Sequence, residues 1–179
     1  MGKSNIYCLF VISFLVEQLF NKRLICTQCN INLSHDDKMC NNCSSVDNKA
    51  TATIFDVNQP LVFARMLDRL LPDIECYRKQ IDIDQSSHKN QRNNTNDMMF
   101  NKTYQELNNR FSSSPFISLL LHLDGISLTK SNRLVLWVLS CSLIELPAHL
   151  RYRRFNMIIL SVWVGYREPP IDLWLTECL

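Results

Sequence analysis

The amino-acid sequence predicts an α+β protein in three parts: an N-terminal helix with a cysteine-rich module and a second helix, then a polar linker, then a three-stranded antiparallel sheet. Three observations lead to this fold class. Four cysteines stand in two Cys-x2-Cys pairs, the segment 82–114 has almost no aliphatic side chains, and three apolar, β-rich runs follow residue 115.

Length and composition limit the number of domains and the class of partner. The chain has 179 residues, of which 46% are hydrophobic, so it can form one ordinary domain or two small ones around a buried core. Its formal net charge is only +2. Because domains that bind nucleic acid through overall charge are usually far more basic, charge alone does not indicate that class.

The first apolar run, residues 6–20 (IYCLFVISFLVEQLF), predicts a buried helix. It is too short to span a bilayer, which needs about 20 apolar residues. Glu17 and Gln18 directly follow its most apolar part, and no small-x-small cleavage site precedes Cys26. These features favour an intracellular protein without a membrane segment. The alternative is a secretory signal, which would make the chain a secreted cysteine-rich glycoprotein.

The cysteine-rich module is the most specific local motif. Two Cys-x2-Cys pairs are separated by ten residues, and their members are Cys26, Cys29, Cys40 and Cys43. Four thiolates complete a tetrahedral zinc shell and leave no open coordination position, so the predicted site is a structural zinc ribbon. Binding of zinc would supply folding energy that this small polar segment lacks. The alternatives are two disulfides or a chance cluster.

Two elements follow the cysteines. Residues 50–57 (ATATIFDV) are β-branched and alternate, which predicts a short strand. Residues 59–71 place apolar side chains at helical spacing and end before Pro72, which predicts a helix.

The segment 82–114 is rich in Asn, Ser, Lys and Asp. Such a composition buries too little apolar surface to offset its ordering entropy, except where Tyr104 and Leu107 could lie on a short helix. We therefore expect a flexible linker there. The predicted division is a module over 1–81, the linker, and a domain over 115–179.

The C-terminal part contains three apolar runs at 116–124, 133–144 and 156–165. The connections between them are too short for ordinary parallel crossovers, so the three runs predict an antiparallel meander.

Asp124 stands at the end of the first of these runs and is followed by Gly125. A buried carboxylate costs several kcal/mol unless it is paired, hydrogen-bonded or bound to a metal. One interpretation is that Asp-Gly opens a turn. The other is that Asp124 is a metal ligand at a strand end.

The C-terminal block resembles the start of the catalytic domain of CACTA-type (En/Spm-like) transposases and of related transposase-domain proteins of animal genomes. The likeness also extends to a CxxC pair set before the catalytic block. The matching features of this sequence, in chain order, are Leu123-Asp124-Gly125, Lys130-Ser131, a Trp-bearing second strand (Trp137), Glu145-Leu146-Pro147, basic residues before the third strand, and Trp163-x-Gly165.

The resemblance implies an incomplete RNase H-like fold, a nuclear location and DNA as partner. In such enzymes three carboxylates hold two divalent cations for phosphodiester cleavage and transfer. Asp124 matches the first carboxylate and would bind Mg²⁺ or Mn²⁺ only in a complete active site. The candidates for the other two, namely Glu145, Glu168, Asp172 and Glu177, read as surface charges, so we expect a transposase-like fragment that is catalytically incomplete.

Two further surfaces follow from the sequence. Arg151, Arg153 and Arg154 alternate with aromatic residues and form a candidate basic patch for phosphates, the alternative being a solvated connection. The first strand of the meander lacks a covering neighbour, so self-association through its edge is expected. Nothing indicates a small-molecule substrate. The alternative function is a non-enzymatic zinc-ribbon module that binds nucleic acid or another protein.

Overall fold

The computed structural model describes residues 19–34, 40–43, 48–87, 97–111, 116–129 and 133–178. The helix predicted over 6–20 lies outside these residues apart from its last two, and Phe20 already belongs to a strand. Among the described residues, no helix has the length and apolar character needed to cross a membrane.

The described part of the chain contains six strands and four α-helices. The strands are β1 (Phe20–Cys26), β2 (Ile31–Leu33), β3 (Thr51–Val57), β4 (Leu119–Ser127), β5 (Val135–Leu143) and β6 (Ile158–Gly165). The helices are α1 (Gln59–Ser87), α2 (Lys102–Arg110), α3 (Ala148–Arg151) and α4 (Ile171–Cys178), with 3-10 turns at Asn48–Ala50, Met98–Phe100 and Arg154–Asn156.

All six strands form one antiparallel sheet in the order β2-β1-β3-β6-β5-β4. The predicted α+β class and the meander of the three C-terminal runs are therefore confirmed. The strand predicted over 50–57 is also present, as β3. β3 pairs with β6, with Ile54 opposite Trp163, so a strand that follows the cysteines and a strand of the C-terminal block are direct neighbours. This pairing was not predicted, because no local pattern reports which distant strand a strand will join.

The chain forms two compact units that are each discontinuous in sequence. Within the described residues, the first unit consists of three segments: the residues through Val62, His122–Ser140, and the residues from Ile159 onward. The second unit consists of two segments, Phe63–Leu121 and Cys141–Ile158. These boundaries differ from the contiguous segments predicted above. The first unit buries Ile25, Ile54, Trp163 and Trp174, and the second buries Ile74, Leu143 and Leu146.

Helix α1 continues well past its predicted end at residue 71, with Pro72 inside it. The prediction was wrong because the apolar stripe does not stop at the proline. Met66, Leu70, Ile74 and Ile81 are all buried at helical spacing. Packing of this stripe outweighs the one backbone hydrogen bond that proline cannot donate.

Part of the predicted linker is also ordered. Helix α2 begins after Asn101, whose side chain accepts a hydrogen bond from Thr103 N at 2.9 Å, and it buries Tyr104. Tyr104 packs with Ile81 and Met99 in a small apolar cluster. These few large side chains are enough to hold a segment whose average composition is that of a linker.

Candidate metal centre

The first cysteine pair lies in the hairpin between β1 and β2. Cys26 ends β1 opposite Ile31, and Asn30 N donates a hydrogen bond to Cys26 O at 2.8 Å. Asn30 has a φ of 54°, in the left-handed region that asparagine tolerates better than most residues. Thr27 N and Oγ1 both donate to Ala50 O, at 2.7 and 3.0 Å, which ties the turn to the start of β3. The tight turn brings Cys29 back beside Cys26.

The second pair, Cys40 and Cys43, lies in a turn that faces the first. All four sulfur atoms lie within 4.8 Å of one another, with 3.6 Å between Cys26 Sγ and Cys43 Sγ and 3.9 Å between Cys29 Sγ and Cys40 Sγ. A tetrahedral site with Zn–S bonds of about 2.3 Å has sulfur–sulfur edges of about 3.8 Å. A disulfide needs about 2.05 Å, and all four cysteines are free thiols in this structure. The predicted set thus comes together as a possible metal site, which we call the cysteine cluster.

The thiols of the cysteine cluster perturb one another. Backbone hydrogen bonds from Cys43, and also from Asn42, lower the pKa of Cys40 to about 7. The hydrogen bond with the Cys43 side chain, together with burial and its other sulfur neighbours, raises the pKa of Cys29 to about 12. Thiolates this close to one another repel, and a divalent cation between them compensates that repulsion. The donor set therefore suits a thiophilic cation.

Asp124 lies on β4, inside the strand rather than at its end, and its side chain is exposed. The alternative interpretation, in which Asp124-Gly125 opens a turn, was wrong, because both residues lie within the strand. Gly125 is instead required by its neighbour across the sheet, because a Cβ at this position would lie 2.8 Å from the ring of Trp137. An exposed carboxylate is stabilised by water, so Asp124 needs no buried partner.

Among the described residues, the cysteine cluster is the only group of three or more His, Cys, Asp or Glu side chains close enough to share a metal ion. Asp124 belongs to no such group there. The cysteines predicted for zinc are thus brought together, whereas the described part of the chain supplies no set of carboxylates around the residue predicted for magnesium.

The interpretation of Glu145 as a surface charge was wrong. Glu145 is fully buried in the turn after β5, where its carboxylate accepts hydrogen bonds from Ser118 N at 2.9 and 3.0 Å and from Tyr104 Oη at 3.2 Å. Arg78 of α1 lies 3.9 Å from the same carboxylate. These four residues form what we call the Glu145 network. Burial and, secondarily, the charge of Glu145 raise the pKa of the Tyr104 phenol above its ordinary value.

Arg151 is also buried, which corrects the predicted phosphate-binding patch. Its Nη2 donates to both Asp97 carboxylate oxygens at 2.9 and 3.0 Å, to Ile144 O at 2.7 Å and to Leu146 O at 2.8 Å. With only 2% of the residue accessible, this guanidinium cannot reach a phosphate. Its role is to hold the turn that contains Glu145.

Arg153 and Arg154 of the predicted patch are exposed, and so are the aromatic residues beside them. Tyr152 is 52% accessible and Phe155 64%. Arg69 of α1 supports this segment, because its Nη2 donates to Phe155 O at 2.8 Å and its guanidinium carbon lies 5.8 Å from the Phe155 ring centre. We call residues 152–155 with Arg69 the aromatic–basic surface.

Sequence reasoning missed the partners of these buried groups. A third polar pair, Arg23 with Asp56, joins β1 to β3, and Asp56 also accepts from Ser161 Oγ at 2.7 Å. Trp174 Nε1 in turn donates to Ser161 Oγ at 2.8 Å. The partners lie far apart in the chain, so spacing carries no signal for them.

Comparisons with known proteins identify no relative: no family model matches, and neither the curated proteins nor the solved structures contain a significant match. The functional argument therefore depends on the chemistry of the described residues.

Proposed function

We propose that the protein is a zinc-stabilised, non-catalytic module that binds DNA and descends from a transposase-like strand-transfer protein. The observation that carries the proposal is the cysteine cluster, whose sulfur separations of 3.6 and 3.9 Å match the edge of a tetrahedral zinc site. Four thiolates leave zinc no open position, so the metal would have a structural role.

The cysteine cluster would hold zinc between the turn at residues 27–30 and the turn at residues 41–43. Cys26 and Cys40 are buried, whereas Cys29 and Cys43 are half-buried, so the metal would form the small core of the hairpin. When bound, zinc supplies folding energy and fixes the two turns against each other.

Among the residues that the structure describes, the aromatic–basic surface is the part best suited to DNA. Arg153 and Arg154 present two cations to solvent, and Phe155 exposes a ring on which a base can stack. Base stacking on an aromatic side chain contributes about 1–3 kcal/mol, and each phosphate contact adds a salt-dependent term. This combination favours single-stranded over duplex DNA.

The test is fluorescence anisotropy of the zinc-loaded full chain with labelled single-stranded and duplex DNA over a salt series. We expect binding that weakens with salt, and Arg153→Ala with Arg154→Ala should reduce the salt slope by about two. Phe155→Ala should weaken single-strand binding by roughly 5- to 160-fold. The matched control is Arg65→Ala with Arg110→Ala, which removes the same charge from other exposed positions. No binding at low salt, or an equal loss in the control, would contradict the proposal.

Descent from a strand-transfer enzyme is supported by the order of elements in the C-terminal block. β4, β5 and β6 follow one another in the sheet, Asp124 lies on the first of them, and helix α4 follows the third. The RNase H-like arrangement that the resemblance implies begins with the same order of strands and helix. A nuclear location is part of this proposal, and imaging of a tagged full chain tests it.

The non-catalytic part of the proposal has its own test. Supercoiled plasmid incubated with the full chain and Mg²⁺ or Mn²⁺ should be nicked no faster than with the Asp124→Asn variant, because one carboxylate cannot organise two metal ions. Nicking that depends on Asp124 would show that a complete active site exists and would refute this part.

A further inference from the structure

Strand β4 is an open edge of the sheet within the described residues: β5 lies on one side of it and no strand on the other. An edge of nine residues with apolar side chains is a template for pairing with another strand. On one face of β4, Leu119, Leu121 and Leu123 are 37%, 43% and 39% accessible. This edge has none of the lysines or prolines that usually protect such strands.

Two backbone hydrogen bonds determine which groups of β4 point outward. Leu128 N donates to Leu134 O at 2.8 Å, and Ile144 N donates to Ser118 O at 3.0 Å. Both belong to one antiparallel register, in which Gly125 lies opposite Trp137 and the even-numbered residues of β4 face β5. The N–H and C=O groups of the odd-numbered residues therefore point to the open side; these residues are Leu119, Leu121, Leu123, Gly125 and Ser127.

We propose that two copies of this chain pair through β4 in an antiparallel, two-fold arrangement centred on Leu123. In this register Leu123 lies opposite Leu123 of the second copy, and every odd-numbered residue meets an odd-numbered partner. The outward N–H and C=O groups of both strands then satisfy each other along the whole of β4.

Polar complementarity selects this centre over its neighbours. Centring the axis on Leu123 places His122 opposite Asp124 of the second copy, and the reverse, on one face of the new strand pair, where an imidazole N–H can donate to the carboxylate. Moving the axis to Asp124 would set two carboxylates, which repel each other, directly across the strand pair. Moving it to His122 would pair two imidazoles and leave Asp124 without this donor.

Side-chain size is complementary in the same register. Leu121 lies opposite Gly125 of the second copy, where the ring of Trp137 already occupies the space above the glycine. The leucine side chain would therefore rest beside an indole rather than against another leucine. The pairing does not depend on DNA or zinc binding.

The register is tested by crosslinking the full chain with a short bis-maleimide in a Cys76→Ser background, because Cys76 is exposed. Leu123→Cys should give a crosslink between two copies at position 123, located by peptide mass spectrometry, since paired Cβ atoms lie about 5 Å apart. Leu119→Cys, on the same face, is the matched control, because its two copies would be about 26 Å apart along the strands. Efficient crosslinking at 119 and not at 123 would overturn the register.

Sedimentation equilibrium tests the association itself. The wild-type chain should be a dimer that Leu123→Pro converts to a monomer, because proline removes an outward N–H while keeping every bond to β5. Ile159→Lys, an exposed change on the central strand β6, should leave the dimer intact. Far-UV circular dichroism of each variant confirms folding, and Leu123→Lys provides a second disruption should the proline variant not fold.

The pairing of His122 with Asp124 is tested by exchange. Asp124→His should weaken dimerisation by roughly 2- to 30-fold, and the double variant His122→Asp with Asp124→His should restore it, because the pair is only reversed. A wild-type chain that stays monomeric at all concentrations overturns the proposal, and so does a dimer that survives both Leu123→Pro and Leu123→Lys.

Discussion

The cysteine cluster and the Glu145 network are both small polar centres, but they stabilise the protein in different ways. The cysteine cluster gathers four thiols that could together hold one metal ion. The Glu145 network contains its own counter-charge, Arg78, and its own hydrogen-bond donors, Ser118 and Tyr104. Under the proposed function the first region depends on the supply of a metal, whereas the second has its charge and hydrogen-bond partners within the chain.

The difference extends to how each centre is encoded. The cysteines are close in sequence and their spacing alone identifies them. The Glu145 network joins residues from α1, α2, the approach to β4 and the turn after β5. A centre assembled from one segment can form early around an ion, whereas the other requires several elements to be in place.

The largest effect should come from removing one ligand of the cysteine cluster. Cys29→Ser or Cys40→Ser should reduce bound metal from about one ion per chain to near zero, because three thiolates no longer complete the site. Metal analysis of purified protein measures this, and proton NMR reports the loss of the β1–β2 hairpin. Cys76→Ser, at an exposed cysteine outside the cluster, is the control. Well-folded wild-type protein without metal would show that the cysteine cluster, like the Glu145 network, does not depend on a metal.

The next effect should come from breaking the Glu145 network. Glu145→Ala leaves Ser118 N without its acceptor and Arg78 without its counter-charge, so it should lower the free energy of unfolding by about 3–5 kcal/mol. Glu145→Gln keeps an acceptor and should lower it by only about 1–2 kcal/mol. Urea unfolding in the presence and absence of a chelator measures both. If the loss of unfolding free energy in these variants depended on the chelator, the Glu145 network would be coupled to the metal and would not differ from the cysteine cluster in this way.

Arg151 should show an intermediate effect. Arg151→Met removes the donor to Asp97 and to two carbonyl groups, and should lower the free energy of unfolding by about 2–4 kcal/mol. Arg151→Lys keeps the charge but not the shape of the guanidinium, and should recover about half of the loss. Urea unfolding again provides the measurement. Equal behaviour of Arg151→Met and the exposed Arg153→Met would contradict a structural role.

The smallest effect should be a pH dependence in alkali. Burial raises the pKa of Tyr104 above the unfolded value of about 10, so the stability contributed by the neutral phenol is complete below that pH and is lost as the pH rises above it. Burial likewise raises the pKa of Cys141 to about 11 from its ordinary 9.0, which adds a loss in the same direction. Tyr104→Phe should therefore lose less stability than wild type between pH 9 and about 11, as measured by urea unfolding. An identical pH profile would show that the phenol does not titrate on unfolding.

The sequence by itself determined the elements whose signal is local. The two Cys-x2-Cys pairs specify a possible metal site because four thiols a few residues apart can be gathered by two tight turns. The alternation of residues 50–57 specifies the strand β3. The three C-terminal apolar runs specify the meander, because the connections between them are too short for parallel crossovers. The same pattern placed Asp124 on the first strand of the meander, but at the end of that strand rather than inside it.

Only the tertiary structure decided which polar residues are buried. Glu145 was predicted to be a surface charge and Arg151 to be part of a phosphate-binding patch. Both are buried, because Arg78, Ser118 and Asp97 arrive from distant segments to compensate them. Asp124 ends an apolar run yet is exposed, because no described strand covers the outer side of β4. Burial depends on neighbours that are remote in the chain, and a pattern with a period of two or four residues carries no information about them.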